Sequence, residues 1–318
     1  MENPKKTGFG SSAAKPNLTT KQNATNPSKD HASLEKQALT LVNQGQLQQA
    51  ESIYRTLIAA GTNNQIVYEN LASICAMQGR FDEMIDLLEK ILELKPNYPE
   101  AHYNLGIALK NKGDLTAAIT SFKHAIHLNP NFPAAHYNLG FAFKNKGDLT
   151  AAISSFKQAI QLKPNFPEAH HDLGFALRDQ GDLTAAIDSF KHAIQLKPNY
   201  PEAHTNLSMA ELLIGEYKNG WERYEYRFQY KKNQDILNAN PNCSQWKGKP
   251  LKAKDQLLLV SEQGLGDTLQ FMRYALALKS EGIAVSLCAQ PKLHNLIQAS
   301  GIATYALTPE QANKFSKG

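Results

Sequence analysis

Gly113–Ile119 reads GDLTAAI, and the same seven residues return at Gly147–Ile153 and Gly181–Ile187. The interval is 34 residues each time, and Pro99, Pro133, Pro167 and Pro201 keep the same spacing. A long exact period marks stacked supersecondary units, each too small to bury its apolar face alone. With Pro99 as position 1, small or apolar residues stand at Leu105, Gly106, Leu109, Ala118, Phe122 and Ala125, and Pro130 closes the unit. That spacing predicts two helices joined by a tight turn. Pro99 suits a first helical turn, where no N–H is needed, and Glu100 favours the positive helix end. Gly113 can turn left-handed to end the first helix, and Asp114 can cap the second.

The frame runs backwards through 65–98 and 31–64 and forwards through 133–166 and 167–200 to a degenerate copy at 201–234, six units in all. The pattern resembles the tetratricopeptide repeat family over about two-thirds of the chain. The resemblance implies an α-solenoid whose concave face, lined by the first helix of each unit, receives other proteins.

On that helix, position 6 reads Asn70, Asn104, Asn138, Asp172 and Asn206. An amide both donates and accepts, so a ladder of them suits the main chain of an extended peptide. Asparagine ladders contact peptide main chain in the similar repeats of O-linked N-acetylglucosamine transferases. Asp172 interrupts the ladder and can only accept. Position 9 is apolar (Ile107, Phe141, Phe175, Met209) and position 12 basic (Lys110, Lys144, Arg178). Together they suit an extended, acidic protein segment. The alternative is that the amides are ordinary filler and the lysines solvated surface. His102, His136, His170 and His204 recur every 34 residues at position 4, in the last four units. They are too far apart to converge on one ion, so they read as packing residues and no metal or cofactor is expected.

The sixth unit departs from the rest. Ser208 replaces the glycine, Glu211 an apolar residue and Gly220 an alanine, before Gly220–Tyr230, GWERYEYRFQY. Trp221, Tyr224 and Phe228 form one stripe, Tyr226 and Tyr230 a second. One is expected to pack on the repeats and the other on the C-terminal segment, unless the unit is only an aromatic-rich cap.

Beyond a polar linker at 235–256, residues 257–308 read as a partial α/β segment. Strands are expected at Leu257–Ser261 and Gly282–Ala289, and helices at Thr268–Lys279 and Pro291–Ala299. The turn between the first strand and helix carries Gln263, Gly264, Gly266 and Asp267. Leu269 stands where a dinucleotide fingerprint needs its third small residue, and no Lys-Ser/Thr pair follows, so neither NAD nor a P-loop is indicated. GWERYEYR, the Trp246-x-Gly248-x-Pro250-Leu251 run and LLLVSEQGLGDTLQFMRY together resemble repeat-fused glycosyltransferases related to bacterial heptosyltransferases. That resemblance implies the Rossmann-like N-terminal half of a two-domain (GT-B) enzyme, with Asp267 as the candidate base. The alternative is that Asp267 only caps its helix. The donor half of such enzymes lies further on, and 309–318 reads as a cut tail. The expectation is therefore a mainly α repeat scaffold with a catalytically incomplete remnant. Its alternatives are a protein O-glycosyltransferase that binds a nucleotide sugar only when another chain supplies the donor domain, and an assembly factor in which the α/β piece caps the repeats.

Composition sets the outer limits. The net charge is +5, and residues 1–30 contribute five lysines against Glu2 and Asp30. That tail is poor in large apolar residues and is expected to be disordered. Its lysines are dispersed, which does not point to nucleic acid. No apolar run is long enough for a membrane helix. Three widely spaced cysteines, Cys75, Cys243 and Cys288, fit reduced thiols and a cytoplasmic protein.

Overall fold

The computed structural model describes residues 29–229, 243, 246, 249–252, 255–261, 265–303 and 306–314. Residues 1–28 of the basic tail and most of the linker lie outside them. The chain divides into two compact units, Met1–Pro164 and Asn165–Gly318.

In the first unit four helix pairs follow one another: α1 (Lys29–Asn43) with α2 (Leu47–Ala59), α3 (Gln65–Met77) with α4 (Phe81–Leu94), α5 (Pro99–Lys112) with α6 (Leu115–Leu128), and α7 (Pro133–Lys146) with α8 (Leu149–Leu162). Their boundaries are made locally. Pro99 occupies the first turn of α5, and Gly113 ends it at φ 90°, a conformation costly for any residue with a Cβ. Asp114 accepts from the Ala117 amide at 3.0 Å to open α6, and Asp148 repeats the bond on Ala151 at 3.0 Å to open α8.

Within a pair the helices meet where one side is bare. A Cβ on Gly106 would fall 2.6 Å from the Phe122 ring, and one on Gly140 2.8 Å from Phe156. Both rings are fully buried. The first two pairs have no such glycine. Ala38 and Ala72 take its place, and Tyr54 and Leu88 take the place of the phenylalanine. Ionic contacts tie α2 to α4: Arg80 bridges Glu51 at 2.8 Å and Glu83 at 2.6 Å, and Arg55 pairs with both carboxylates.

The second unit opens with α9 (Pro167–Gln180) and α10 (Leu183–Leu196), then α11 (Pro201–Leu213) and α12 (Tyr217–Tyr224), which tightens into a 3-10 helix at Glu225–Gln229. The α9–α10 pair keeps the Gly174–Phe190 contact and the Asp182 cap. In α11–α12 the close approach is reversed: a Cβ on Gly220 would meet Leu212 at 2.7 Å. Buried Glu211 pairs with Arg223 at 3.1 Å. Tyr226 stacks on His204 at 3.7 Å. Trp221, expected to be covered on one side, is 55% exposed. The side chains of Phe228 and Tyr230 lie outside the described residues.

The same unit contains a two-stranded parallel sheet, β1 (Gln256–Val260) on β2 (Ala284–Cys288), in register from Gln256↔Ala284 to Val260↔Cys288. The α13 helix (Leu265–Ser280) makes the crossover that a parallel pair requires. It starts three residues earlier than expected, so Gly266 and Asp267 lie in its first turn and not in a loop. The second strand starts two residues later than expected, because Gly282 makes the turn at φ 84°. Leu307 adds a third backbone pairing, to Cys288. Met272, Ala275, Leu287, Leu293 and Ile297 form the core. The second helix of the segment is split into a 3-10 turn (Pro291–Leu293) and α14 (His294–Ala299). The stretch read as a cut tail begins with an ordered helix, α15 (Pro309–Asn313), closed by a reciprocal capping box between Thr308 and Gln311.

Candidate peptide-binding face

Residues three and four apart on a helix share a face. Positions 6, 9 and 12 of a first helix therefore share one face of that helix.

In the first unit the face is carried by α5 and α7. Lys110 donates to Asn138 Oδ1 at 3.0 Å. Asn138 Nδ2 in turn donates to the Tyr103 hydroxyl at 3.1 Å and the Ala134 carbonyl at 3.0 Å. The amide is thus held between the preceding repeat's twelfth and fifth residues. Burial pushes the Tyr103 hydroxyl up to about 12, so it stays neutral through the physiological range. Asn104 has no such partners, because Ala76 and Glu69 stand where Lys110 and Tyr103 stand one repeat later. Phe141 lies beneath two ammonium groups, Lys144 Nζ at 4.7 Å from the ring centroid and Lys110 Nζ at 5.0 Å. These are cation–π distances.

In the second unit α9 and α11 repeat the motif with different atoms. Arg178 donates to Asn206 Oδ1 at 3.4 Å, and Asn206 Nδ2 lies 2.9 Å from His171 Nε2. An amide N–H can only donate, so Nε2 accepts and the imidazole proton sits on Nδ1, 3.3 Å from Asp172 Oδ1. Arg178 stacks on Phe175 at 4.2 Å and pairs with Asp179 at 2.9 Å. Asp172, read as a break in an accessible ladder, is 8% exposed.

The amides at Asn138 and Asn206 therefore brace neighbouring repeats rather than stand open to solvent. Sequence reading missed Tyr103 and His171, which complete each brace. The available signal was an aromatic or imidazole at position 5, thirty-five residues before the amide it meets. Asn70 is half-buried on α3, and the Lys144 side chain is half-buried on α7.

The position-4 histidines pack as expected and also hydrogen-bond. Nε2 of His102, His136 and His204 each meets a proline carbonyl six residues back, Pro96, Pro130 and Pro198, at 2.9, 3.1 and 3.0 Å. An imidazole N–H thus ties down the turn that precedes its own helix. Among the described residues, no group of three or more potential ligands could hold a metal ion, and no helix is long and apolar enough to cross a membrane.

Of the second candidate site, Gln263 and Gly264 lie outside the described residues. Gly266 and Asp267 belong to the first turn of α13, with side chains outside what is described.

The family model described as TPR repeat matches residues 72–113, 108–147, 142–177 and 176–210. This part of the chain is made of TPR repeats. Among solved structures, MamA 41-end from Desulfovibrio magneticus RS-1 is 25% identical with a TM-score of 0.51, covering 55% of this chain and 98% of its own. The MamA RS-1 ArsTM double mutant is 24% identical with a TM-score of 0.51 over the same shares, 55% and 98%. YrrB, a TPR protein with an unusual peptide-binding site, is 19% identical with a TM-score of 0.49, covering 57% of this chain and 94% of its own. The likeness is one of fold. Comparison with curated protein sequences finds no match.

Proposed function

We propose that the TPR repeats act as a protein-interaction scaffold whose first-helix face takes an extended, acidic protein segment. The observation that carries this reading is the pairing of cation and aromatic ring: Lys110 and Lys144 on Phe141, and Arg178 on Phe175. A ring beneath a cation holds the long side chain in place and offers apolar contact, while the charge selects carboxylates. Asn104 supplies the amide free to meet main chain. The test is fluorescence anisotropy with a labelled peptide of alternating Glu and Ala against its Gln counterpart. Lys144→Ala, which leaves the Lys110–Asn138 bond in place, is expected to weaken the acidic peptide about 10-fold, some 1.4 kcal/mol, with far-UV circular dichroism unchanged. Equal affinity for the Glu and Gln peptides would sink the reading. Asn104→Ala probes the main-chain contact without disturbing the internal brace that Asn138→Ala would break.

A second reading belongs to the C-terminal segment, and the crossover pairing of β1 and β2 through α13 favours it. It takes the segment as a glycosyltransferase half whose nucleotide-sugar-binding partner half is supplied by another chain. Asp267 would accept the proton of the acceptor hydroxyl as the new glycosidic bond forms and the nucleotide leaves. Transfer of a labelled sugar to protein, abolished by Asp267→Asn, would support it. No transfer with any donor-binding partner half would end it.

A further inference from the structure

The end of the α11–α12 pair carries an apolar surface that the interaction face does not use. In each repeat, positions 17 and 21 lie one turn apart on the second helix. In α6 they are Leu115 and Ile119, and Ile119 is 7% exposed, clustered with Leu139 and Phe143 of α7. In α10 they are Leu183 and Ile187, and Ile187 is 6% exposed. In α12 the same positions hold Tyr217 and Trp221, 64% and 55% exposed. Leu213 and Ile214 adjoin them at 67% and 49%, where α5 has Asn111 and Lys112. Trp221 is braced edge-on by Tyr224 at 5.7 Å. The register through which one repeat packs on the next is thus present, filled with larger apolar side chains, and open.

We propose that this surface is a self-association interface, on which a second copy of the chain packs its own Leu213, Ile214, Tyr217 and Trp221 about a twofold axis. Continuity with the repeat-to-repeat contact is the first argument, because these positions are built to meet an apolar helix face. The face they meet is their own. Among its described side chains, the first helix of the repeats, α1, exposes Ala32, Ser33, Lys36, Gln37 and Thr40 and no large apolar group, so it offers head-to-tail docking no apolar face. Charge is compatible as well: exposed Glu216, Lys218 and Glu222 around the patch carry both signs, so a copy is not repelled. Tyr217 and Trp221, 64% and 55% exposed, offer about 180–300 Å² of aromatic surface per copy, and Leu213 and Ile214 add to it. A contact of that size falls in the small, reversible class below ~1,200 Å². Twofold closure is the commonest solution for a self-complementary patch.

Sedimentation velocity on the full chain across a micromolar dilution series tests this. The wild type is expected to pass from a 35.2 kDa monomer to a species of twice that mass. Trp221→Glu is expected to remain monomeric throughout, and Leu213→Ser to weaken dimerisation about 10-fold, both with unchanged helicity. In a Trp246→Phe background, Trp221 emission should move to shorter wavelength as the dimer forms. A wild type that stays monomeric, or a dimer that neither variant weakens, overturns the proposal. Should Trp221→Glu lose helicity, Leu213→Ser decides. Loss of helicity in both would mean that the patch is covered within one chain, which also overturns it.

Discussion

The α5–α6 and α11–α12 pairs occupy the same register of the repeat yet solve the same packing problem in opposite ways. In α5–α6 the bare position is on the first helix, Gly106, and the large ring is on the second, Phe122. In α11–α12 the bare position is on the second helix, Gly220, and the filling side chain, Leu212, is on the first. The first pair opens its second helix with a side-chain cap from Asp114, whereas Glu216 makes no such bond for α12. The first pair buries the Ser121 hydroxyl but no charged group, and the second buries the Glu211 carboxylate against Arg223. An internal repeat is packed on both sides. In the last one, among the described residues, Leu213, Ile214, Tyr217 and Trp221 stay exposed while a carboxylate, Glu211, is buried.

The sharpest way to break this contrast is to remove the filling ring. Phe122→Ala should cost about 3–5 kcal/mol, because the ring is fully buried and Gly106 cannot collapse into the void. Tyr224→Ala, at the same repeat position but half-buried, should cost under about 2 kcal/mol. Urea unfolding followed by circular dichroism compares the two, and equal losses would show that the pairs are packed alike.

A smaller effect is expected at alkaline pH. The Tyr103 hydroxyl is pushed up to about 12 by burial, above its unfolded value. The folded state therefore holds this proton more tightly than the unfolded chain does. Its contribution of about 2–3 kcal/mol is complete below pH ~10 and is lost as pH rises through the folded value. Thermal melts between those limits should show a steep loss of stability that Tyr103→Phe makes shallower. Burial also raises Tyr54 and Tyr98, so part of the slope remains. The α11 helix has Thr205 at this position and contributes nothing to it. A slope untouched by Tyr103→Phe would mean that the hydroxyl is not buried as described.

The smallest effect concerns the caps. Asp114→Ala should cost about 1 kcal/mol and speed hydrogen exchange at the Ala117 amide, which the carboxylate holds at 3.0 Å. Glu216→Ala should change stability by less than about 0.5 kcal/mol. Similar losses from the two substitutions would erase this part of the distinction.

Much of the fold was legible because its signals are local. Pro99, Gly113 and Asp114 each act within one turn of backbone, and the period carries their meaning from one repeat to the next. The parallel pair β1–β2 was legible from two short apolar runs separated by a helix-length stretch. Its boundaries were less so: Leu265 opens α13 ahead of Thr268. The capping box at Thr308 and Gln311 was present in the sequence but passed over, since five residues rarely sustain a helix without a surface to dock on. Ala312 docks there, fully buried.

The candidate site was legible in its residues and not in their use. The sequence by itself determined the helix pairs, their spacing, the cation and aromatic rows at Lys110, Phe141, Lys144, Phe175 and Arg178, and the odd character of the last pair. Only the tertiary structure decided that Asn138 and Asn206 brace their neighbours, that Lys110 lies over Phe141, and that Trp221 faces solvent. The physical reason is range. Helix caps and turns are satisfied by atoms a few residues away, so a linear pattern reveals them. The half-buried Asn138 amide finds its partners 28 and 35 residues away, and those distances close only once the repeats have packed.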